Sequence, residues 1–167
     1  LRGMTVFANY DQIIERLSLN QLWDFPGGIH PPQQKNLSNQ SNIEYIQLEP
    51  TYYVPVKQHI GVGGKLLVAE GDRILKGQLL TASEAPFSVP VHAPTSGLIA
   101  KITPHVSAHP SGIPELSVII DADGQDTWIE LKPVPDYAKA SKSELIERIC
   151  NAGISGMGGA GFPTHIK

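Results

Sequence analysis

Between residues 50 and 122 the chain never runs far before a glycine or proline cluster turns it. The clusters at 61–64, 70–72, 76–77, 94–97 and 110–112 break the segment into apolar runs spaced about ten residues apart, the signature of a compact all-β unit. That spacing leaves no room for the helix of a βαβ crossover. Strands are expected at Tyr52–Pro55, Leu66–Val68, Leu79–Ala82, Val89–His92, Gly97–Ile102 and Leu116–Asp121, with Gly71, Gly77 and Gly97 at the corners between them.

Composition removes several function classes. Thirteen Lys and Arg against sixteen Asp and Glu leave a net charge of −3, with no basic excess to bind nucleic acid. No stretch approaches the roughly 20 apolar residues of a membrane-spanning helix. The first twenty residues, interrupted by Arg2, Asp11, Glu15 and Arg16, form no secretory signal pattern. The single cysteine, Cys150, cannot build a disulfide, a thiolate zinc site or an iron–sulfur cluster within the chain.

The flanks read differently. Residues 1–21 form an N-terminal segment in which Val6, Phe7, Tyr10, Ile13, Ile14 and Leu17 mark one face of a short helix. That helix packs on the body, meets a partner or stays disordered. Residues 22–48 form an extended arm and a polar loop; Trp23, Phe25 and Ile29 would pin the arm, and His30 would fix it by a hydrogen bond. After the β unit at 49–122 comes a connector at 123–140. Ser141 and Glu144 then make a capping-box pattern ahead of Leu145, Ile146 and Ile149, predicting a helix over 142–152 that stops at Gly153.

No nucleophile–base–acid set emerges, and neither a catalytic nor a metal-binding residue is assigned. His105 and His109 stand four apart, but Pro104, Pro110 and Gly112 argue against the helix that would align them. His59 and His92 sit beside strand ends, where structural roles are expected, and Cys150 reads as a packed, inert thiol.

The runs 69–80 and 91–99 together resemble the two halves of the biotinyl/lipoyl barrel-sandwich fold, so the resemblance implies a mainly β barrel-sandwich hybrid. In carrier domains the hairpin between these halves presents a modified lysine. Here Ser83–Pro90 contains none, and Pro86 and Pro90 stiffen the tip. Lys76 and Lys101 lie outside the tip and read as solvated charges. Carrier chemistry is rejected; the fold is kept.

The chain closes on a second glycine cluster, five glycines within residues 153–161. Such a run either cradles a phosphate on its backbone N–H groups or forms a flexible tail. A Rossmann turn does not fit, because a helix and not a strand precedes it. The wording of Gly156–Thr164 resembles the nucleotide loop of the NADH- and flavin-binding subunit of respiratory complex I, although Met157 stands where that family has arginine. The resemblance makes Gly156, Gly158, Gly159, Ala160, Gly161, Phe162, Thr164 and Lys167 the candidate cofactor-binding residues.

One family joins these parts in this order: the RnfC family, the C subunits of the Rnf (Rsx) electron transport complex. The resemblance is carried by Trp23–Phe25, Gly27–Pro32 with Lys35, Lys57–Gly61, Val91–Gly97, His109–Ser111, Glu115–Gly124, Glu144–Arg148 and Gly158–Thr164, and spans about 22–167. It implies the N-terminal part of a longer protein that continues into a flavin/NADH domain and a region with two [4Fe–4S] clusters. That protein would lie peripherally on the cytoplasmic side of the bacterial inner membrane. There it would pass electrons between NADH and the other Rnf subunits, coupled to ion movement. In this reading the barrel is a docking and positioning platform, and the chain alone binds no cofactor tightly and is not catalytic. The alternative is a free-standing barrel-sandwich adaptor that binds another protein without a redox role. Either way, protein made in cells with biotin and lipoyl ligases should show its unmodified intact mass; an added biotinyl or lipoyl group would restore the carrier reading.

Overall fold

The computed structural model describes residues 15, 31–108, 110–158 and 161–167. The predicted helix at 5–19 (Glu15 apart), Trp23, Phe25, Ile29 and His30 of the arm, His109, Gly159 and Ala160 lie outside the described residues. The chain forms two units, Leu1–Tyr45 and Ile46–Lys167. Among its described residues the first carries a short 3-10 turn at Lys35–Leu37, with exposed side chains.

The second unit holds β1 (Thr51–Pro55), β2 (Lys65–Leu66), β3 (Arg73–Ile74), β4 (Thr81–Ala82), β5 (Gly97–Val106), β6 (Pro114–Ala122) and α1 (Lys142–Asn151). An antiparallel sheet runs β1-β6-β5-β3, and β2 pairs with β4 in a small second sheet. Alternation along the strands sends Val54, Ile99, Val118 and Ile120 inward, where they meet Ile74, Leu80, Val91 and Ala93. Burying each larger aliphatic side chain contributes about 1.5–3 kcal/mol.

Most expected strands are present with altered bounds, and the alterations have physical causes. β5 runs past Pro104 to Val106, because at that height it has only β6 beside it and an imide nitrogen can face the open edge. The expected strand at Val89–His92 is absent, leaving only a bridge between Leu79 and His92. Three consecutive ladder donors are missing there. Val89 N–H goes to the His59 ring (3.2 Å), Pro90 has no N–H, and Val91 N–H goes to Thr81 Oγ1 (2.8 Å).

Gly97 opens β5 where no side chain fits; a Cβ there would lie 2.1 Å from the Asp121 carbonyl oxygen. The connector after β6 is stitched back onto the same corner. Ser96 Oγ donates to Asp123 (2.7 Å) and accepts from Thr127 N–H (2.9 Å), while Thr95 Oγ1 donates to Asp126 (2.9 Å). The Lys76 ammonium pairs with the same Asp126 carboxylate and, with Thr95, holds it below the usual carboxylate range.

α1 begins as its sequence predicts. Ser141 Oγ accepts from Glu144 N–H (3.3 Å) and the Glu144 carboxylate accepts from Ser141 N–H (2.8 Å), which also lowers the Glu144 pKa. The core sets the scale for a test: Ile120→Ala should cost about 2–5 kcal/mol in urea unfolding, while Ile119→Ala, on the opposite face of β6, should cost much less.

Candidate functional site

The lysine-free hairpin tip is the organising point of the site. Ser83 Oγ donates to the Ser88 carbonyl (2.8 Å) and Ser88 N–H to the Ala85 carbonyl (3.1 Å), which closes the tip on itself. On one side it is gripped by the segment 57–62, where Val62 N–H donates to the Phe87 carbonyl (3.1 Å). His59 is buried between them. Its Nε2 accepts from Val89 N–H, so the proton sits on Nδ1, which donates to the Ile60 carbonyl (2.9 Å). The structural role expected for His59 is borne out.

On its other side the tip meets the C-terminal segment. Phe162 packs edge-on against Phe87 with ring centroids 5.8 Å apart, and His165 Nε2 donates to the Pro86 carbonyl (3.2 Å). Cys150 is half-buried with its thiol 4.0 Å from the Ser88 carbonyl, consistent with a packed thiol. Gly153, in the left-handed region at φ 69°, passes so close that a Cβ would lie 2.5 Å from the Pro90 carbonyl oxygen. The place where a carrier domain displays its lysine is therefore the seat of the glycine-rich segment.

That segment is a closed loop and not a free tail. Gly156 N–H donates to the Phe162 carbonyl (2.9 Å) and Thr164 N–H to the Ile154 carbonyl (3.0 Å), with a bridge between Ser155 and Pro163. Ile60 N–H donates to the Gly161 carbonyl (3.1 Å), bolting the loop to the 57–62 segment. Of the sequence candidates, Gly156, Gly161, Phe162 and Thr164 thus meet at the loop base, and Lys167 lies over the Phe162 ring, 5.9 Å from its centroid. Gly158 is exposed at the crown, with open space where a Cβ would sit. One expectation needs correction: Gly156 N–H is engaged within the loop and is not a free phosphate donor.

A cleft of about 790 Å³ opens beside the crown. Lys57, Gln58, His59 and Ile60 line one side, Ser107, Ala108 and Glu115 another, and Ser155, Gly156, Met157 and Gly161 complete it. The sequence marks Lys57 and Gln58 only as part of a family wording, without a role. His105 does not line this cleft; its ring is stacked on Tyr53 with centroids 4.1 Å apart.

The backbone can receive a phosphate at the crown, where Gly158 is unobstructed, so the residues present fit that part of a flavin or dinucleotide. They do not fit an iron–sulfur cluster, since Cys150 is the chain's one thiol and is packed against Ser88. Among the described residues, no helix is long and apolar enough to cross a membrane.

Short strands closing on a proline-stiffened hairpin define a barrel-sandwich hybrid whose tip holds a loop of its own chain. Residues 23–125 match the RnfC Barrel sandwich hybrid domain, and the chain belongs to that family. It is 53% identical over 148 residues to the C subunit of the ion-translocating oxidoreductase complex of Salmonella arizonae, a match covering 89% of this chain and 22% of the relative. The same identity relates it to the corresponding proteins of Salmonella gallinarum, 22% of which is covered, and Salmonella newport, 20%. The chain thus spans about a fifth of the length of these curated relatives.

His92 gives the site a pH signature. Its ring is partly desolvated against Gly153, which lowers its pKa despite a backbone hydrogen bond with Asn151. Below about pH 6.5 the unfolded chain takes up a proton that the folded one resists, so stability should fall with pH until the folded ring also protonates. His92→Gln should flatten that slope in urea titrations between pH 7 and 5; an unchanged slope would mean that His92 titrates normally in the fold.

Proposed function

We propose that this chain is the barrel and loop portion of the C subunit of an ion-translocating oxidoreductase complex, acting as a positioning platform for a nucleotide site. The observation that carries the reading is the anchoring of the glycine loop on the lysine-free tip and the 57–62 segment, beside an open cleft. Gly158, together with Gly159 and Ala160, would offer backbone N–H groups to the phosphate of flavin mononucleotide or NADH. A bound flavin would supply the exchange between two-electron transfer from NADH and one-electron transfer to other centres. The chain's own contribution is binding and placement: the barrel fixes the loop, and the loop fixes the phosphate.

The further elements of the reading are a peripheral position on the cytoplasmic face of a bacterial inner membrane, partnership with the other Rnf subunits, and two [4Fe–4S] clusters carried outside this chain. These follow from family membership and from the names of the relatives.

The test is Gly158→Asp in the assembled complex. The site is exposed and open, so the fold should persist while the carboxylate repels phosphate. NADH-driven electron transfer should drop by about tenfold or more, with loss of flavin and intact assembly on native gels. Full flavin content and rate would reject the phosphate loop. Failure of the wild-type protein to co-purify with the other Rnf subunits would reject the redox reading in favour of the adaptor.

A further inference from the structure

The cleft beside the loop carries opposed charges that the sequence leaves without a role. Only Lys57 and Glu115, among the residues that line it, bear a formal charge, His59 being held neutral by its two hydrogen bonds. Glu115 accepts a hydrogen bond from Ser107 Oγ at 3.1 Å. Lys57 is exposed and makes no ion pair among the described residues, where the paired lysines are Lys65, Lys76 and Lys139. Lys167, the cation nearer in sequence to the glycines, packs over Phe162 and does not line the cleft.

We propose that Lys57 is the cation that holds a phosphate group in this cleft, acting with the backbone at Met157 and Gly158, and that Glu115 limits the affinity from the opposite wall. The inference rests on the nucleotide reading above and adds its charge-determining residue. The backbone supports it: three residues after Lys57, Ile60 N–H is bonded to Gly161, and Gly161 packs against Gln58 and His59. Lys57 is therefore fixed to the same rigid base as the loop. A phosphate monoester carries about −1.5 to −2 charges near pH 7. Without Lys57 it would face Glu115 with only neutral N–H donors in its favour, whereas an ammonium balances it as a point charge.

The experiment follows Met157 and Gly158 amide shifts in the isotopically labelled chain, titrated with millimolar flavin mononucleotide and, separately, riboflavin. Lys57→Gln should weaken flavin mononucleotide binding roughly three- to tenfold, Lys57→Arg should retain it, and Glu115→Gln should strengthen it. Riboflavin, which lacks the phosphate, should respond to none of the three. If wild-type shifts saturate and Lys57→Gln leaves the affinity unchanged, or weakens both ligands equally, the role of Lys57 is overturned while the loop reading stands. If flavin mononucleotide moves neither amide in the wild type, the loop reading falls and this inference with it.

Discussion

The hydrogen bond from Val89 N–H to His59 Nε2 decides what the hairpin becomes. A backbone donor that would extend a β-ladder is turned onto a buried ring, and its neighbours, an imide nitrogen and the N–H bonded to Thr81, continue no ladder either. Freed from sheet pairing, the strip before His92 can take contacts from two other parts of the chain. The histidine is suited to this because both ring nitrogens are satisfied in one tautomer, so its burial leaves no unpaired polar atom. Everything around the tip depends on that substitution of a side chain for a strand.

What the sequence made legible was local. Glycine corners and apolar runs located most strands, and Ser141 with Glu144 located the start of α1 within a residue, because a cap is written in neighbouring positions. The failures were non-local. Whether 89–92 forms a strand depends on a ring thirty positions earlier, and whether the terminal glycines form a tail or a closed loop depends on His165 reaching Pro86, 79 positions away. The glycines announced backbone donors, but only the closed loop shows that Gly156 N–H already has an acceptor. The missing lysine was plain from the residues; that Phe87 and Pro86 would receive another segment in its place was not.

Charge is distributed with a similar economy. Buried hydroxyls of Thr95 and Ser96, the Lys76 ammonium and the carboxylates of Asp123 and Asp126 form a mutually satisfied corner away from the cleft. Hydrogen bonds from Gln125 N–H and Ser96 hold Asp123 ionised to unusually low pH, as Lys76 and Thr95 do for Asp126. The corner thus acts as structure, while the cleft keeps its single cation without an ionic partner among the described residues.

The proline-stiffened tip has a mechanical consequence. A carrier hairpin is useful because its attached group can travel; this one is held from both sides and bears on its own C-terminal loop. It behaves as an anvil and not as an arm. A displacement applied to the barrel would carry the loop with it as one body, so distances between the loop and whatever lies across the cleft would be set by how whole bodies approach, and not by flexing of the glycines.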